Sequence, residues 1–267
     1  MKRAVLFLLL NLTICAIYAQ SQPVSQRLDA LLNDEILKTS EVGITVFDLT
    51  TGESLYRYQD EKLYRPASIE KVITSVTALA RLGADYTMDT HLRYTGKIEN
   101  DTLKGNLYLI GGFDPELMDE DLDSLVAAVE AQGIRYVTDT IAADVSMTDS
   151  VYWGPGWSWD DTPYSFQPYL SPLMLNRGCV HVSVSPAQKD SLPAVLCTPV
   201  SDYYRVCNRA VSRNPQAGKL EITRNWLSNG NVITVSGNVS RPYTGQVNIY
   251  TSKDFFFHTF IQRLKEK

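Results

Sequence analysis

The sequence predicts a mixed α/β protein, and three observations predict it. Residues 42–58 alternate apolar and polar around the turn Thr50-Thr51-Gly52-Glu53, then lead into an apolar helix that stops at Gly83. Residues 119–132 (DEDLDSLVAAVEAQ) carry a helical period between strand-like stretches. From residue 180 onward, short strands and turns alternate until a last helical stretch at 253–267.

At 267 residues the chain is long enough for one large domain or two ordinary ones, each with a real core. Hydrophobic residues make up 44% and charged residues 21%, a globular balance. Residues 1–19 are set apart. Lys2-Arg3 is followed by a mostly apolar run from Ala4 to Ile17, and Ile17-Tyr18-Ala19 ends on a small residue. This pattern is a secretory signal peptide, shorter than the roughly 20 residues of a membrane span. Leu12-Thr13-Ile14-Cys15 has the spacing of a lipoprotein box, with Ile14 where a small residue is needed.

Without Lys2 and Arg3, the 25 basic residues become 23 against 30 acidic ones, a net charge of −7. No basic run remains, which excludes nucleic-acid binding as a function class. Cys179, Cys197 and Cys207 remain, an odd number for an exported chain. Cys197 and Cys207 can close a short loop and leave Cys179 free, but spacing alone leaves the pairing open. His91, His181 and His258 are scattered and show no metal-ligand spacing.

In chain order, residues 25–38 place apolar side chains at 28, 31, 32 and 36, as a packing helix does. The hairpin 42–58 follows, then a helix from Ser68 to Leu82. In that helix Ile69, Val72, Ile73, Val76, Leu79 and Ala80 cover much of the circumference, so burial on most sides is expected. Strands are expected at 87–95, 103–110 and 136–143, with the acidic-capped helix 119–132 among them. Residues 151–172 hold Trp153, Trp157, Trp159, Tyr152, Tyr164, Phe166 and Tyr169 among four prolines and fit no period. They form either a loop pinned to the body by its aromatics or a wall of a binding groove. Further strands are expected at 180–185, 205–211, 218–225 and 232–239, and the closing helix carries Phe256, Phe260 and Leu264 on one face.

The chemistry concentrates at Pro66-Ala67-Ser68-Ile69-Glu70-Lys71, which contains the one Ser-x-x-Lys of the sequence. Residues three apart on a helix share a face, with Cβ atoms about 5–6 Å apart. A serine hydroxyl needs a base beside it to act as a nucleophile. A lysine supplies one when it is partly neutral, a form that apolar burial favours. Unpaired N–H groups and the macrodipole at a helix start favour developing negative charge. The competing role for Ser68 is a helix cap, but a capping box wants Glu or Gln where Lys71 stands. Ser68 and Lys71 are therefore the candidate nucleophile and general base, and Glu70 projects from another face.

The segment Tyr64-Arg65-Pro66-Ala67-Ser68-Ile69-Glu70-Lys71-Val72-Ile73-Thr74 resembles the nucleophile region of the penicillin-binding D-alanyl-D-alanine carboxypeptidase/endopeptidase family, the class C low-molecular-mass group. The likeness continues through Leu103–Leu109, Gly111-Gly112-Phe113-Asp114-Pro115, Pro155–Asp161 and Leu175-Asn176-Arg177. It covers nearly all of the expected mature chain, in order.

The resemblance implies a β-lactamase/transpeptidase-like fold with large α/β and β insertions after the nucleophile helix. It assigns 20–84 and 253–267 to the catalytic domain and 85–252 to insertions: α/β at 85–150, the aromatic loop at 151–172, mostly β at 173–252. It implies cleavage of peptidoglycan stem peptides through an acyl-serine that β-lactams trap, with no cofactor, in a bacterial periplasm. By position Ser68 matches the nucleophile and Lys71 the base. Asp161 and Phe166 match positions that contact the peptide's amino-bearing side chain.

The family also uses a second Ser-x-Asn and a Lys-Thr-Gly strand beyond the insertions. No Lys-Thr-Gly occurs in this sequence, and Ser236-Gly237-Asn238 falls within an expected strand of the second insertion. The expectation is therefore a chain that stops before its active site is complete, with an unpaired edge on the 42–58 hairpin and little turnover. Two further readings stand beside the peptidase: an inactive relative that at most binds cell-wall peptide, and a β-lactamase, for which the sequence offers no identifiable water-activating base.

Overall fold

The computed structural model describes residues 23–267, so the signal peptide expected at 1–19 lies outside the described residues. These residues form two compact units, one ending at Tyr86 and the other running from Thr87 to Lys267.

The first unit contains helix α1 (Val24–Leu31), strands β1 (Ile44–Asp48) and β2 (Glu53–Tyr58), and helix α2 (Glu70–Leu82). The helical period over 25–38 predicts one helix, but the structure holds α1 and a separate 3-10 turn, Glu35–Lys38. The break has a local cause. The Asn33 amide donates to the Asp29 carbonyl (2.9 Å), and the Asp34 carboxylate takes the Ile36 N–H (3.0 Å). Such side chains offer the backbone partners outside the helix.

Strands β1 and β2 pair antiparallel from Ile44 opposite Tyr58 to Asp48 opposite Glu53, with a bulge between Val46 and Phe47. They form a two-stranded sheet whose outer edges are unpaired among the described residues, as the sequence leads one to expect. The expected burial of the nucleophile helix is not found. No residue from 23 to 86 is buried. Ile69, Val72, Ile73, Val76, Leu79 and Leu82 are each between 51% and 71% exposed. A single hairpin offers too little surface to cover a helix that is apolar around most of its circumference.

The second unit holds the core. Strands β3 (His91–Tyr94), β6 (Leu107–Ile110) and β8 (Ile141–Asp144) form one sheet. A smaller sheet joins β4 (Lys97–Glu99), β5 (Thr102–Lys104) and β7 (Tyr136–Val137). Helix α3 (Asp119–Ala131) contributes the buried residues Leu122, Val126 and Val129. Beyond the aromatic loop, β9 (Cys179–Ser185) lies between β10 (Ala194–Thr198) and β14 (Tyr243–Asn248), both antiparallel to it. Strand β13 (Val232–Val239) lies between β11 (Arg205–Ser212), which is parallel, and β12 (Glu221–Arg224), which is antiparallel.

Helix α4 (Ser252–Glu266) starts at Thr251, whose hydroxyl accepts the Asp254 N–H, and buries Phe255, Phe256 and Phe260 completely. Each such side chain removed from water contributes about 1.5–3 kcal/mol. The Arg263 guanidinium ties α4 to the first turn of α3. It donates to the Asp119 carbonyl (3.0 Å) and the Asp123 carboxylate (2.6 Å), and pairs with the Asp119 carboxylate.

Strand β4 is an addition to the expected list, and so are β10 and β14. The segments of the last two, AVLCT and YTGQVN, lack the alternation that marks a half-buried strand. Ser236-Gly237-Asn238 is interior to β13, as expected. Gly237 has φ +86, and a Cβ there would stand 2.0 Å from the Lys219 carbonyl oxygen, so glycine is required. Asn238 Oδ1 accepts the Asn214 N–H (2.9 Å). Cys179, Cys197 and Cys207 are all free thiols; Cys197 pairs in register with Val182 and Cys207 with Thr234, on different sheets.

Candidate active site

Ser68 occupies a 3-10 turn, Ala67–Ile69, that feeds directly into α2, and Lys71 lies in the first turn of α2. The Lys71 ammonium donates to the Ser68 hydroxyl at 2.8 Å. The two residues expected to act together are thus in contact, through helix geometry alone. The turn is held by the Ile69 N–H donating to the Pro66 carbonyl (3.1 Å). Ala67 has φ 45°, a left-handed conformation that costs a non-glycine residue about 1–3 kcal/mol. Such strain beside a reactive group is a recurrent feature of functional sites. The apolar enclosure expected around Lys71 is absent among the described residues, because the faces of α2 on either side of it are open.

Asp161 and Phe166 belong to the second unit, in the aromatic loop. Asp161 ends a 3-10 turn, Trp159–Asp161, and is half-buried. Its backbone N–H donates to the Ser158 carbonyl (3.3 Å) and its carbonyl accepts the Tyr164 N–H (3.0 Å). Phe166 is exposed and stacks on Tyr164, with ring centroids 5.4 Å apart and planes within 11°. Trp159 lies against Trp226 at 5.1 Å. The outer aromatics of this loop are therefore presented to solvent, while its inner ones pin it. Tyr169 is buried between Trp153 (4.7 Å) and Tyr250 (5.0 Å), and the Trp153 indole donates to the Pro168 carbonyl (2.8 Å). The inner aromatics match the alternative of a loop pinned to the body.

Sequence reasoning missed Arg224 and Asn248 beneath the loop. Arg224 is 2% exposed, and its guanidinium donates to Asn248 Oδ1 (3.1 Å), the Gly230 carbonyl (3.1 Å) and the Tyr169 hydroxyl (3.2 Å). Burial pushes the Arg224 pKa down and the Tyr169 phenol up, and their mutual hydrogen bond opposes both shifts. One signal was available: on β12, Arg224 follows Ile222 by two, which puts it on the same face as an apolar residue.

An open cavity of about 530 Å³ is lined by Tyr108, Asp144, Tyr152, Ser171 and Lys253, among others. The Ser146 N–H holds the Asp144 carboxyl below its usual range. Neither Asp161 nor Phe166 lines this cavity. No helix among the described residues is long and apolar enough to cross a membrane.

The family model of the D-Ala-D-Ala carboxypeptidase 3 (S13) family matches residues 24–267. The D-alanyl-D-alanine carboxypeptidase of Actinomadura sp. (strain R39) is 32% identical over 200 residues, which cover 73% of this chain and 37% of the relative. D-alanyl-D-alanine carboxypeptidase DacB of Haemophilus influenzae is 28% identical over 153 residues, 57% of this chain and 32% of its own length. The chain thus spans about a third of the length of these curated relatives.

Among solved structures, penicillin binding protein 4 (dacB) of Haemophilus influenzae matches with a TM-score of 0.67 at 24% identity, covering 84% of this chain and 50% of that one. The same protein complexed with a β-lactam matches with a TM-score of 0.60 at 20% identity, covering 86% and 49%. The mixed α/β fold is therefore that of part of penicillin binding protein 4. With the family model matching from α1 to the last residue, this chain belongs to the D-Ala-D-Ala carboxypeptidase 3 (S13) family.

Proposed function

We propose that the chain carries the nucleophile of a serine-type D-Ala-D-Ala carboxypeptidase/endopeptidase that acts on peptidoglycan stem peptides and binds penicillin. The observation that carries this reading is the 2.8 Å contact between Lys71 and Ser68 in a chain of this family. Ser68 Oγ attacks the carbonyl carbon of the penultimate D-Ala, and its proton passes to the amine form of Lys71. The tetrahedral adduct collapses, the C–N bond breaks, and Lys71 returns the proton to the leaving D-Ala amine. Water then hydrolyses the acyl-serine. A β-lactam follows the first half of this path, its ring opening onto Ser68. A relative solved with a β-lactam bound supports that part of the proposal.

In this reading Asp161 and Phe166 meet the amino-bearing side chain of the peptide. Residues 1–19 export the chain to the periplasm. Residues 20–84 and 253–267 belong to a β-lactamase/transpeptidase-like catalytic domain, and 85–252 are insertions. A second reading is favoured by the open surface of α2: a protein that binds cell-wall peptide without turning it over.

A fluorescent penicillin separates the two. Covalent labelling of the wild type that disappears in Ser68→Ala supports the peptidase. A wild type that takes no label rejects it and leaves the binding reading.

A further inference from the structure

Asn248 closes the aromatic loop from beneath. Its amide nitrogen donates to the Gln167 carbonyl (2.6 Å) and to the Thr162 carbonyl. Gln167 in turn donates from its side chain to the Ser158 carbonyl (2.8 Å). Asp161 is thus bracketed by the clamped carbonyls of Ser158 and Thr162, and Phe166 by those of Thr162 and Gln167. All four polar anchors are interior: Asn248 is 0%, Arg224 2%, Gln167 3% and Thr162 5% exposed.

The orientation of Asn248 is fixed by chemistry. A guanidinium has donors and no acceptor, so the atom that faces Arg224 Nε must be the amide oxygen. Turning the amide over would set its NH2 group against the guanidinium and its oxygen against two carbonyls. Arg224 therefore determines which way Asn248 points, and Asn248 determines where the loop lies.

One further observation distinguishes aiming from mere stabilisation. Arg224 is a buried cation that forms no ion pair among the described residues. A carboxylate at position 248 would be nearly isosteric and would neutralise that charge, but it has no proton to give to Thr162 and Gln167. The residue present forgoes charge balance and keeps the two donors.

We propose that Arg224 and Asn248 form a positioning pair that sets the 158–167 segment, and through it the purchase of Asp161 and Phe166 on an ammonium-bearing peptide side chain. The second half of this inference rests on the function proposed above; the first half does not.

The decisive variant is Asn248→Asp in the full chain. Amide hydrogen exchange is followed by mass spectrometry alongside thermal melting. Exchange in the 158–167 segment is expected to accelerate at least tenfold, with β13 unchanged and the melting midpoint not lowered. Unchanged exchange in that segment overturns the proposal. So does uniform acceleration with a lowered midpoint, which would make Asn248 a packing residue only. Should the aspartate variant fail to fold, Arg224→Lys keeps the charge but loses the fork, and the same segment-restricted acceleration is expected and the same two results overturn it.

Binding of L-lysyl-D-alanyl-D-alanine and of its Nε-acetyl form is then compared by calorimetry. Wild type is expected to prefer the free amine, and Asn248→Asp to lose at least tenfold of that preference. A loosened segment with undiminished preference overturns the link to side-chain recognition. A wild type that binds neither peptide rejects the substrate reading, while the exchange result still decides the positioning role.

Discussion

Lys71 Nζ, in the first turn of a helix with no buried residue, stands 2.8 Å from Ser68 Oγ in the 3-10 turn that leads into it. Their meeting is therefore a property of the local turn and helix and owes nothing to tertiary enclosure. The chemistry attributed to the pair asks Lys71 to take a proton, which a guanidinium does not do at accessible pH. Lys71→Arg is expected to reduce penicillin acylation at least a hundredfold while leaving the far-ultraviolet circular dichroism unchanged. Labelling rates near those of the wild type would remove Lys71 from the role of base.

The contrast between the open α2 and the packed α4 gives a paired test. Val76 is 62% exposed and Phe256 fully buried. Val76→Lys is expected to change the unfolding free energy by no more than about 0.5 kcal/mol. Phe256→Ala should cost about 3–5 kcal/mol, because a cavity replaces the ring. Urea titrations of both variants measure the difference, and a large cost at Val76 would mean that α2 is covered.

Arg263 joins α4 to the start of α3 through Asp119 and Asp123. Its side chain is only 14% exposed, so solvent screens the Asp119 pair weakly. Arg263→Met, which preserves most of the stem, is expected to lower stability by about 1.5–3 kcal/mol in urea unfolding. Added salt should shrink the effect at Asp123, whose side chain is 68% exposed.

How much of this was legible in the sequence follows the range of the interactions. The hairpin, the C-terminal end of α2 and the Ser68–Lys71 contact depend on residues a few positions apart, and local period and spacing revealed them; the helix expected from Ser68 begins at Glu70, after a 3-10 turn. The exposure of α2 was not legible, since periodicity reports which face is apolar and not what lies against it. The hold of Arg224 and Asn248 on the aromatic loop links residues 24 and 81 positions apart. An arginine in Glu221–Arg224 and an asparagine closing Tyr243–Asn248 read as ordinary strand-end polar residues until β12 and β14 are placed.

Alkaline pH should weaken the second unit through its buried thiol. Burial pushes the Cys179 pKa from 9.0 up to about 12. The folded state therefore holds this proton more tightly than the unfolded chain. The contribution is complete below pH about 9 and declines as pH rises from about 9 towards about 12, by about 1.4 kcal/mol per pH unit. The buried phenol of Tyr204 is shifted upward as well and adds to the decline. Denaturant unfolding at a series of alkaline pH values should show a shallower slope for Cys179→Ala than for the wild type; equal slopes would contradict the assignment.

The clamp that Asn248 places on Thr162 and Gln167 also sets an order of events at the ribosome. The aromatic segment leaves the exit tunnel well before its anchor exists, because Asn248 follows Gln167 by 81 residues. At a synthesis rate of roughly 5–20 residues per second, that interval is about 4–16 s. Throughout it, the segment lacks the Asn248 bonds to Thr162 and Gln167, which form only when β14 is in place beside β9. The most aromatic stretch of the nascent chain thus waits 81 residues for its anchor, and chaperone capture during translation should centre on it.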